Sequence, residues 1–406
     1  MTKENDPKKM HKLSKKLDKM AVSATLEMAK LSRKLKAEGK DIISLSLGEP
    51  DFDTPNHIKD AANRAIANGI TKYPPVSGFP DLKEAIIGKL QKQLGLTYEA
   101  DQIVVSTGAK QSLMNLMLAL LDEGDEVVLP SPFWVSYPEM IKLADGKIVQ
   151  IDADISADYK ISPEQLSAAI TPKTKLLVYS SPSNPTGSIY TSAELTALAK
   201  VLEEHPQVYI ISDEIYDLIN FGEPHASMAN IEALRERVII VNGVSKSYAM
   251  TGWRIGYIAA PKEIAAACEK IQGQFTSGAN SIAQKAAIAA IAGTQSPTEE
   301  MKAAFKERRN LVLSLLQACD SMKINKPKGA FYLFPDISGY FGKSDGDTTI
   351  HNAQDFCKYL LDKALVASVP GNAFGAPDCF RISFAASKQE LEEACNRIIK
   401  ALKNLN

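Results

Sequence analysis

Short apolar runs alternate with longer segments of helical periodicity over the first two thirds of the chain. The apolar runs, which predict strands, are QIVVST, DEVVLP, KLLVYSSP, VYIISD and RVIIVNG. The segments between them, AKQSLMNLMLALLDEG, WVSYPEMIKLAD and SAELTALAKVLEEHP, are typical of helices. Because the strand runs stay apolar at successive positions, we expect both faces of each strand to be buried. The pattern predicts an α/β fold with a mostly parallel sheet covered by helices.

The pattern changes after residue 260. A helix-rich stretch over residues 262–320 leads to the apolar segment AFYLFPD, a helix near 352–364, the strand CFRISFA and a closing amphipathic helix. This mixture is typical of an α+β unit. We therefore predict a large domain over residues 51–294 and a smaller α+β domain that comprises 1–50 and 295–406. The lysine-rich first twenty residues are expected to form an arm, either solvated or lying on a partner subunit.

Composition and charge exclude several classes of function. With 406 residues, 45% of them hydrophobic, and a net charge of -1, the chain is expected to be globular and to have no general attraction for nucleic acid. The five cysteines are scattered and odd in number, which predicts reduced thiols, no disulfide and no metal site. The N-terminus lacks the apolar core of a signal peptide, and stretches such as AAIAAIAG are too short to span a bilayer. We expect a cytoplasmic enzyme without a membrane or nucleic-acid partner.

Polar residues stand where the predicted strands end. Gly108 leads from a strand into a helix start, which presents backbone N–H groups to an anion, and Asn184 and Asp213 close two further strands. Each of these alone is explained by an ordinary helix start, turn or helix cap. Lys246 is harder to explain as half of a structural ion pair, because Arg254 follows closely and one carboxylate does not need two cations. Pyridoxal 5'-phosphate (PLP) would use the whole set: a lysine amine, a carboxylate, hydrogen-bond donors and an anion site.

Eight motifs extend this match along nearly the whole chain. They are LSLGEPDFDTP, KYPPVSGFPDLKEAI, SPFWVSYPEM, SPSNPTG, SDEIY, SKSYAMTGWRIGY, KGAFYLFPD and FRISFA. In their order and spacing the chain resembles the class I aminotransferases of PLP fold type I, and within that family it is most similar to the bacterial aspartate aminotransferase branch. The resemblance implies a large domain with a mostly parallel sheet, a smaller α+β domain and PLP as the cofactor.

The resemblance also implies a catalytic set, which comprises Lys246, Asp213 and Tyr216. Lys246 would bind the cofactor as a Schiff base and later move a proton between the substrate's α carbon and the cofactor. Asp213 would keep the pyridine nitrogen protonated, because an adjacent carboxylate favours the charged form. Asn184 and Tyr216 would donate hydrogen bonds to the phenolate oxygen.

The phosphate site implied by the resemblance comprises the backbone of Gly108, Ala109 and Lys110 and the side chains of Arg254 and Ser245. Many relatives carry a serine where this chain has Gly243, so that one donor is either missing or supplied by Ser245. Trp134 would stack on the cofactor ring. Tyr73 would reach the phosphate of the neighbouring subunit, which implies a homodimer with composite active sites.

The substrate's α-carboxylate would be held by one group of residues, Arg381, the backbone of Gly48, Trp134 and Asn184. A second carboxylate would meet Lys110, with hydroxyl groups from Ser23 and Thr25. For Lys110 the alternative is a helix-start lysine that points to solvent. That position is electrostatically unfavourable, because the N-terminal end of a helix repels a cation.

The activity implied is transfer of an amino group between aspartate or glutamate and a 2-oxo acid such as 2-oxoglutarate or oxaloacetate. Relatives also act on prephenate or aromatic amino acids, so these substrates stay open. A PLP lyase on the same fold would share Lys246 and Asp213. A ligand-sensing regulator is a third alternative, but such proteins carry an added DNA-binding domain, for which the N-terminal arm is too short.

Overall fold

The computed structural model of the chain describes residues 13–222 and 224–406. Its strands are β1 (Ile43–Ser44), β2 (Ile103–Ser106), β3 (Glu126–Ser131), β4 (Lys147–Asp152), β5 (Thr174–Ser180), β6 (Tyr209–Asp213), β7 (Val238–Gly243), β8 (Gly256–Ala259), β9 (Tyr332–Leu333), β10 (Ser344–Asp345), β11 (Thr348–Thr349), β12 (Val366–Ala367), β13 (Val369–Pro370) and β14 (Phe380–Ser383). The predicted strands at QIVVST, DEVVLP, KLLVYSSP, VYIISD and RVIIVNG correspond to β2, β3, β5, β6 and β7.

The helices fall between and after these strands. The α-helices are α1 (Ala24–Ala37), α2 (Asn56–Ala67), α3 (Pro80–Leu94), α4 (Ala109–Leu120), α5 (Tyr137–Leu143), α6 (Pro163–Ala169), α7 (Ser192–Glu203), α8 (Lys262–Phe275), α9 (Ser281–Ala292), α10 (Ser296–Leu316), α11 (Ala353–Tyr359) and α12 (Lys388–Leu402). A π turn, Leu360–Ala364, continues α11. Short 3-10 helices are Lys15–Lys19, Ala100–Gln102, Ile155–Ala157, Met228–Asn230, Glu232–Arg237, Thr251–Trp253, Ser338–Tyr340 and Gly371–Phe374.

The central sheet has the strand order β2-β8-β7-β6-β5-β3-β4. The neighbouring pairs from β7 to β4 are parallel, whereas β8 is antiparallel to both β7 and β2. The prediction of a mostly parallel sheet is confirmed, and β8 is the exception. The segment between β7 and β8 contains no α-helix to carry the chain back across the sheet, so β8 returns beside β7 in the opposite direction.

Both faces of the central sheet are buried, as the unbroken apolar runs predict. In β7, Val238 and Ile240 pack into the hydrophobic cluster that includes residues of α3, α7 and α9. The alternate residues Ile239 and Val241 pack into the cluster with α4, α5 and α8. Successive side chains of a strand point to opposite faces, so a strand between two helical layers needs apolar residues at every position.

The last third of the chain forms an α+β unit around a three-stranded antiparallel sheet of order β13-β14-β9. Its core includes side chains of α10, α11 and α12, and Ile43 and Leu45 join it from the N-terminal part of the chain. Strand β1 pairs in parallel with β12. The α+β character is therefore confirmed, while the domain limits 51–294 and 295–406 stay a prediction.

The predicted N-terminal arm is described only in part, because residues 1–12 lie outside the described residues. The 3-10 helix that follows contacts α5 and the turn after it. Lys16 and Lys19 form ion pairs with Asp145, at 2.8 and 3.3 Å, and the backbone N–H of Ala21 donates to Glu139. The described part of the arm thus lies on its own chain, with its side chains largely exposed. No helix within the described ranges is long and apolar enough to cross a membrane.

Candidate active site

A cavity of about 320 Å³ lies beside the carboxyl ends of the parallel strands. It is lined by most of the residues predicted from the sequence: Gly48, Ala109, Lys110, Trp134, Asn184, Asp213, Tyr216, Ser245, Lys246, Arg254 and Arg381. Ser23 and Thr25 line it as well. The ends of parallel strands meet at one edge of a sheet, which explains why residues far apart in sequence converge here.

Lys246 follows β7 and projects its amine into the cavity. Its Nζ donates to the carbonyl of Gly48 at 2.5 Å and lies 5.9 Å from the ring centroid of Tyr216. Burial lowers the pKa of Lys246 to about 8; the charge of Glu49 opposes this shift, and the charge of Arg381 adds to it. At pH 7 about one tenth of such amines are unprotonated, compared with well under about 0.1% for an ordinary lysine. A neutral amine is the form that attacks a carbonyl.

Asp213 ends β6 and is almost completely buried. Its Oδ2 accepts a hydrogen bond from the hydroxyl of Tyr137 at 2.6 Å, and its Oδ1 accepts one from the backbone N–H of Ile215 at 3.2 Å. Burial raises the pKa of Asp213 to about 6, and these two hydrogen bonds restrain the rise. The carboxyl group is therefore mostly ionised at neutral pH while it faces a cavity with little water around it.

Arg381 lies in β14 and is 1% exposed. Its Nη1 donates to Oδ1 of Asn184 at 2.8 Å, and its Nη2 donates to the carbonyl of Ser46 at 2.6 Å. Its guanidinium carbon lies 4.6 Å from the ring centroid of Tyr332, whose hydroxyl shares a hydrogen bond with that of Tyr216 at 2.8 Å. The Nε atom is buried without an acceptor, and no carboxylate of the described residues forms an ion pair with this side chain. A buried planar cation of this kind is suited to bind a carboxylate.

The turn before α4 brings together groups that are suited to bind an anion. Gly108 has a φ of +81°, and a Cβ atom there would collide with the guanidinium of Arg254. Arg254 itself is fixed by donation from Nη1 to the carbonyl of Thr251 at 3.0 Å. The backbone N–H groups of Ala109 and Lys110 lie at the positive end of the dipole of α4 and precede its first internal hydrogen bonds, which run from Gln111 and Ser112 to the carbonyl of Gly108. The turn therefore joins backbone donors, a guanidinium and the nearby hydroxyl of Ser245.

Gly243 has a packing reason to lack a side chain. A Cβ atom there would lie 2.8 Å from the carbonyl oxygen of Ile255 and 2.9 Å from the Cα of Gly256. Close contact between β7 and the segment entering β8 leaves no room for a larger residue. Ser245 lines the cavity, whereas Gly243 does not.

Lys110 and Trp134 form part of the cavity wall together. The Nζ of Lys110 lies 4.9 Å from the ring centroid of Trp134, which is a cation–π contact. Burial and the charge of Arg254 lower the pKa of Lys110. The hydroxyl of Thr25 is buried without a hydrogen-bond partner in the described part of the chain. This wall thus offers a cation and an unused hydroxyl group to a bound molecule.

Comparison with known proteins places this geometry in a family. The model of the family Aminotransferase class I and II matches residues 40–398. The chain belongs to this aminotransferase family. Among curated relatives, an aspartate/prephenate aminotransferase of Nitrosomonas europaea is 47% identical over 395 residues, which cover 96% of this chain and 100% of that protein.

Solved structures agree with this assignment. The aspartate aminotransferase from Rhizobium meliloti is 44% identical, with a TM-score of 0.95, and the match covers 98% of this chain and 100% of that one. The aspartate aminotransferase from Thermus thermophilus with maleate is 39% identical, with a TM-score of 0.91, and the match covers 97% and 100% of the two chains. The resemblance to class I aminotransferases and the fold class predicted from the sequence are confirmed.

The cavity of this aminotransferase has a set of groups that fits PLP. Lys246 provides the amine, Asp213 a buried carboxylate, and the start of α4 together with Arg254 a set of donors suited to a phosphate. Burial raises the pKa of Tyr216 well above its usual value, so its hydroxyl stays protonated and can donate a hydrogen bond. Asn184 can donate through its amide nitrogen, because its Oδ1 is used by Arg381.

Two predicted residues do not line this cavity: Gly108, which lies beside Arg254 in the turn before α4, and Tyr73. Tyr73 lies before α3 and is 95% exposed, the largest exposure among the large hydrophobic side chains of the described residues. Its predicted contact with the site of a neighbouring subunit stays a prediction.

The sequence reasoning missed two tyrosines of the aminotransferase site. Tyr137 donates to Asp213, and Tyr332 stacks against Arg381 and contacts Tyr216. Both stand inside motifs that carry the family resemblance, SPFWVSYPEM and KGAFYLFPD. The motifs pointed to these segments, but the partners of each hydroxyl follow only from the folded chain.

Proposed function

We propose that this aminotransferase transfers the amino group of aspartate or glutamate to a 2-oxo acid such as 2-oxoglutarate or oxaloacetate, with PLP as its cofactor. One observation supports this most strongly. Four cations line the cavity, and none of them forms an ion pair with a carboxylate of the described residues: Lys110, Lys246, Arg254 and Arg381. Two carboxylates, Glu49 and Asp213, also line the cavity, and the remaining excess of positive charge suits a phosphate together with a substrate that has two carboxylates.

Each part of the proposed cofactor would be held by a different element. Lys246 would bind it covalently, and the turn at Gly108 with Arg254 and Ser245 would hold the phosphate. Asp213 would face the pyridine nitrogen, and Trp134 would pack against the ring, while Asn184 and Tyr216 would donate to the phenolate oxygen. When bound, PLP supplies an electron sink for the charge that develops at the substrate's α carbon.

The side chains of this protein supply the proton transfer and the orientation. Lys246 takes the proton from the α carbon, a role that suits an amine whose pKa burial has lowered to about 8. Tyr137 keeps Asp213 ionised through its hydrogen bond, so that the negative charge needed opposite the ring nitrogen persists at neutral pH. Arg381 holds the α-carboxylate with its planar fork and fixes the direction in which the α hydrogen points.

The choice of a dicarboxylic substrate rests on Lys110. Arg381 can bind only one carboxylate, and Lys110 with the unpartnered hydroxyl of Thr25 can receive the second. The names of the two solved relatives, aspartate aminotransferases, support this proposal, as does the dicarboxylate maleate in one of them. Prephenate is the second candidate, because the name of the curated relative includes it.

The proposal includes a homodimer in the cytoplasm, with Tyr73 completing the phosphate site of the partner subunit. The exposed ring of Tyr73 supports the dimer. Sedimentation of the full chain at micromolar concentration would test it, and a fully active monomer would contradict it.

A panel of amino donors tests the reaction itself. Purified protein loaded with PLP is mixed with aspartate, glutamate, phenylalanine or alanine without an acceptor, and the loss of cofactor absorbance is followed. We expect fast conversion with the two acidic donors, and then return of the absorbance when 2-oxoglutarate, oxaloacetate or prephenate is added. Continuous formation of 2-oxo acid without any acceptor would identify a lyase and overturn the proposal.

A further inference from the structure

Gln272, in the last turn of α8, is 0% exposed and uses both polar atoms of its amide. Its Nε2 donates to the carbonyl of Val105 at 2.8 Å and to the carbonyl of Val76 at 2.7 Å. Its Oε1 accepts from Nδ2 of Asn115 at 3.1 Å. One buried side chain therefore joins β2, the segment before α3, and α4.

The position of β2 explains why such a residue is needed. β2 is the edge strand of the central sheet, with β8 on one side and no strand on the other. On the open side, the N–H of Val105 donates to the carbonyl of Ser77 at 3.0 Å, and the carbonyl of Val105 accepts from Gln272. A loop and a glutamine thus satisfy the backbone groups that a further strand would otherwise pair.

The strand fixed in this way leads directly into the anion-binding turn. Val105 precedes Gly108 by three residues, and Asn115 lies on the helix that begins at that turn. A second link runs from the same end of α8: Gln111 accepts from the N–H of Thr107 at 2.6 Å and donates to the hydroxyl of Thr276 at 2.6 Å. Both sides of the turn are thereby connected to one helix end.

We propose that Gln272 is a positioning residue for the phosphate site: it holds β2 and α4 in the relative placement that directs the backbone donors of the Gly108 turn at a phosphate group. It does not line the cavity, and it acts through Val105 and Asn115. The inference rests on the proposed function, because it assumes that this turn binds the cofactor's phosphate. Replacing Gln272 is therefore expected to change the affinity for phosphate and PLP but not the choice of amino donor.

Gln284 offers a matched control. It is also 0% exposed, its Oε1 accepts from the N–H of Phe79 at 2.8 Å, and its Nε2 donates to the carbonyl of Ala279 at 2.8 Å. It supports the same segment before α3 as Gln272 does, but its hydrogen bonds reach neither β2 nor α4. Losing Gln284 tests the structural cost of removing a buried glutamine without disturbing the turn.

The experiment compares full-length wild type with Gln272→Met, Asn115→Ala and Gln284→Met. Thermal unfolding is recorded over a series of inorganic phosphate concentrations, and PLP affinity is measured by equilibrium dialysis of the cofactor-free proteins. We expect Gln272→Met to bind both ligands about tenfold more weakly, because the backbone donors of the turn lose their alignment. Asn115→Ala, which removes one of the three hydrogen bonds, should weaken both ligands in the same direction by a smaller factor.

Gln284→Met should unfold at a lower temperature while both affinities stay within about twofold of wild type. Wild-type affinities in Gln272→Met, or equal losses in Gln272→Met and Gln284→Met, would overturn the positioning role. If Gln272→Met does not fold, Asn115→Ala decides: unchanged affinities for both ligands would then refute the inference. A wild-type protein that binds no PLP would instead contradict the proposed function, so the two failures are distinct.

Discussion

Replacing Lys110 by alanine tests whether the protein recognises a second carboxylate. The Nζ of Lys110 lies 4.9 Å from the Trp134 ring centroid and forms no ion pair within the described residues. A cation about 4 Å from a carboxylate gains about 4 kcal/mol at an effective dielectric constant of 20, and exposure to solvent and salt reduces that gain. A lost charged hydrogen bond of about 1.5–3 kcal/mol is the better measure, which corresponds to about 10- to 150-fold.

The expected effect is a rise of this size in the KM for aspartate and glutamate, with little change for alanine. The assay follows only the first half-reaction, from the PLP form. In the full reaction a dicarboxylic acceptor would also contact Lys110 during the second half-reaction. Lys110→Arg is the control that keeps the charge, and we expect it to retain most of the preference for acidic donors. Equal losses for aspartate and alanine would show that Lys110 serves the cofactor or the fold, and the argument from two carboxylates would fail.

Three substitutions and one chemical modification test the remaining roles. Lys246→Ala should still bind PLP but without a covalent link, and should lose multiple turnover; sustained turnover would contradict the assignment of the amine. In the cofactor-free protein, the rate of acylation of Lys246, monitored by peptide mass spectrometry, should rise through about pH 8. The acylation rate of exposed lysines should rise near the pKa of ordinary amines, about 10.4. Tyr73→Phe should speed the loss of PLP on dilution while leaving the dimer intact, and unchanged retention would argue against a composite site. Tyr137→Phe should raise the pKa of Asp213 further, so the acid limb of kcat/KM should move up by about one pH unit, and an unshifted limb would show that another group sets it.

The large sheet was predictable because its strands are buried on both sides. At Val238 to Val241 every position must be apolar, so the run is visible without any knowledge of its neighbours. The direction of β8 was not predictable, since GYIA would look the same in a parallel strand. The strands of the smaller unit span two to four residues, and AFYLFPD contributes only Tyr332–Leu333 to the ladder. Segments this short contain too few residues to show a hydrophobic periodicity.

The active site was predictable where a residue's chemistry follows from its place at a strand end. The rule that parallel strands end at one edge placed Asp213 and Lys246 close together, and the family resemblance implied their roles. Arg381 came from the family resemblance, because nothing local to FRISFA shows that its arginine is buried. Tyr137 and Gln272 were missed for the same reason: each acts through a contact with a residue more than seventy positions away, and such contacts exist only after folding.

The electrostatics of the cavity connect stability with binding. Burial is the main cause of the lowered pKa of Lys110 and Lys246, the charge of Arg254 adds to both shifts, and the charge of Arg381 adds to that of Lys246; these cations therefore repel one another. This repulsion costs the folded protein free energy, and it adds to the effect of burial, which keeps a fraction of the Lys246 amine neutral and reactive. An anion that binds among these side chains relieves the repulsion, and by linkage it stabilises the fold by an amount that grows with the logarithm of its concentration divided by its Kd. Mutual repulsion among these cations therefore favours the proposed binding of a phosphate and two carboxylates in one cavity.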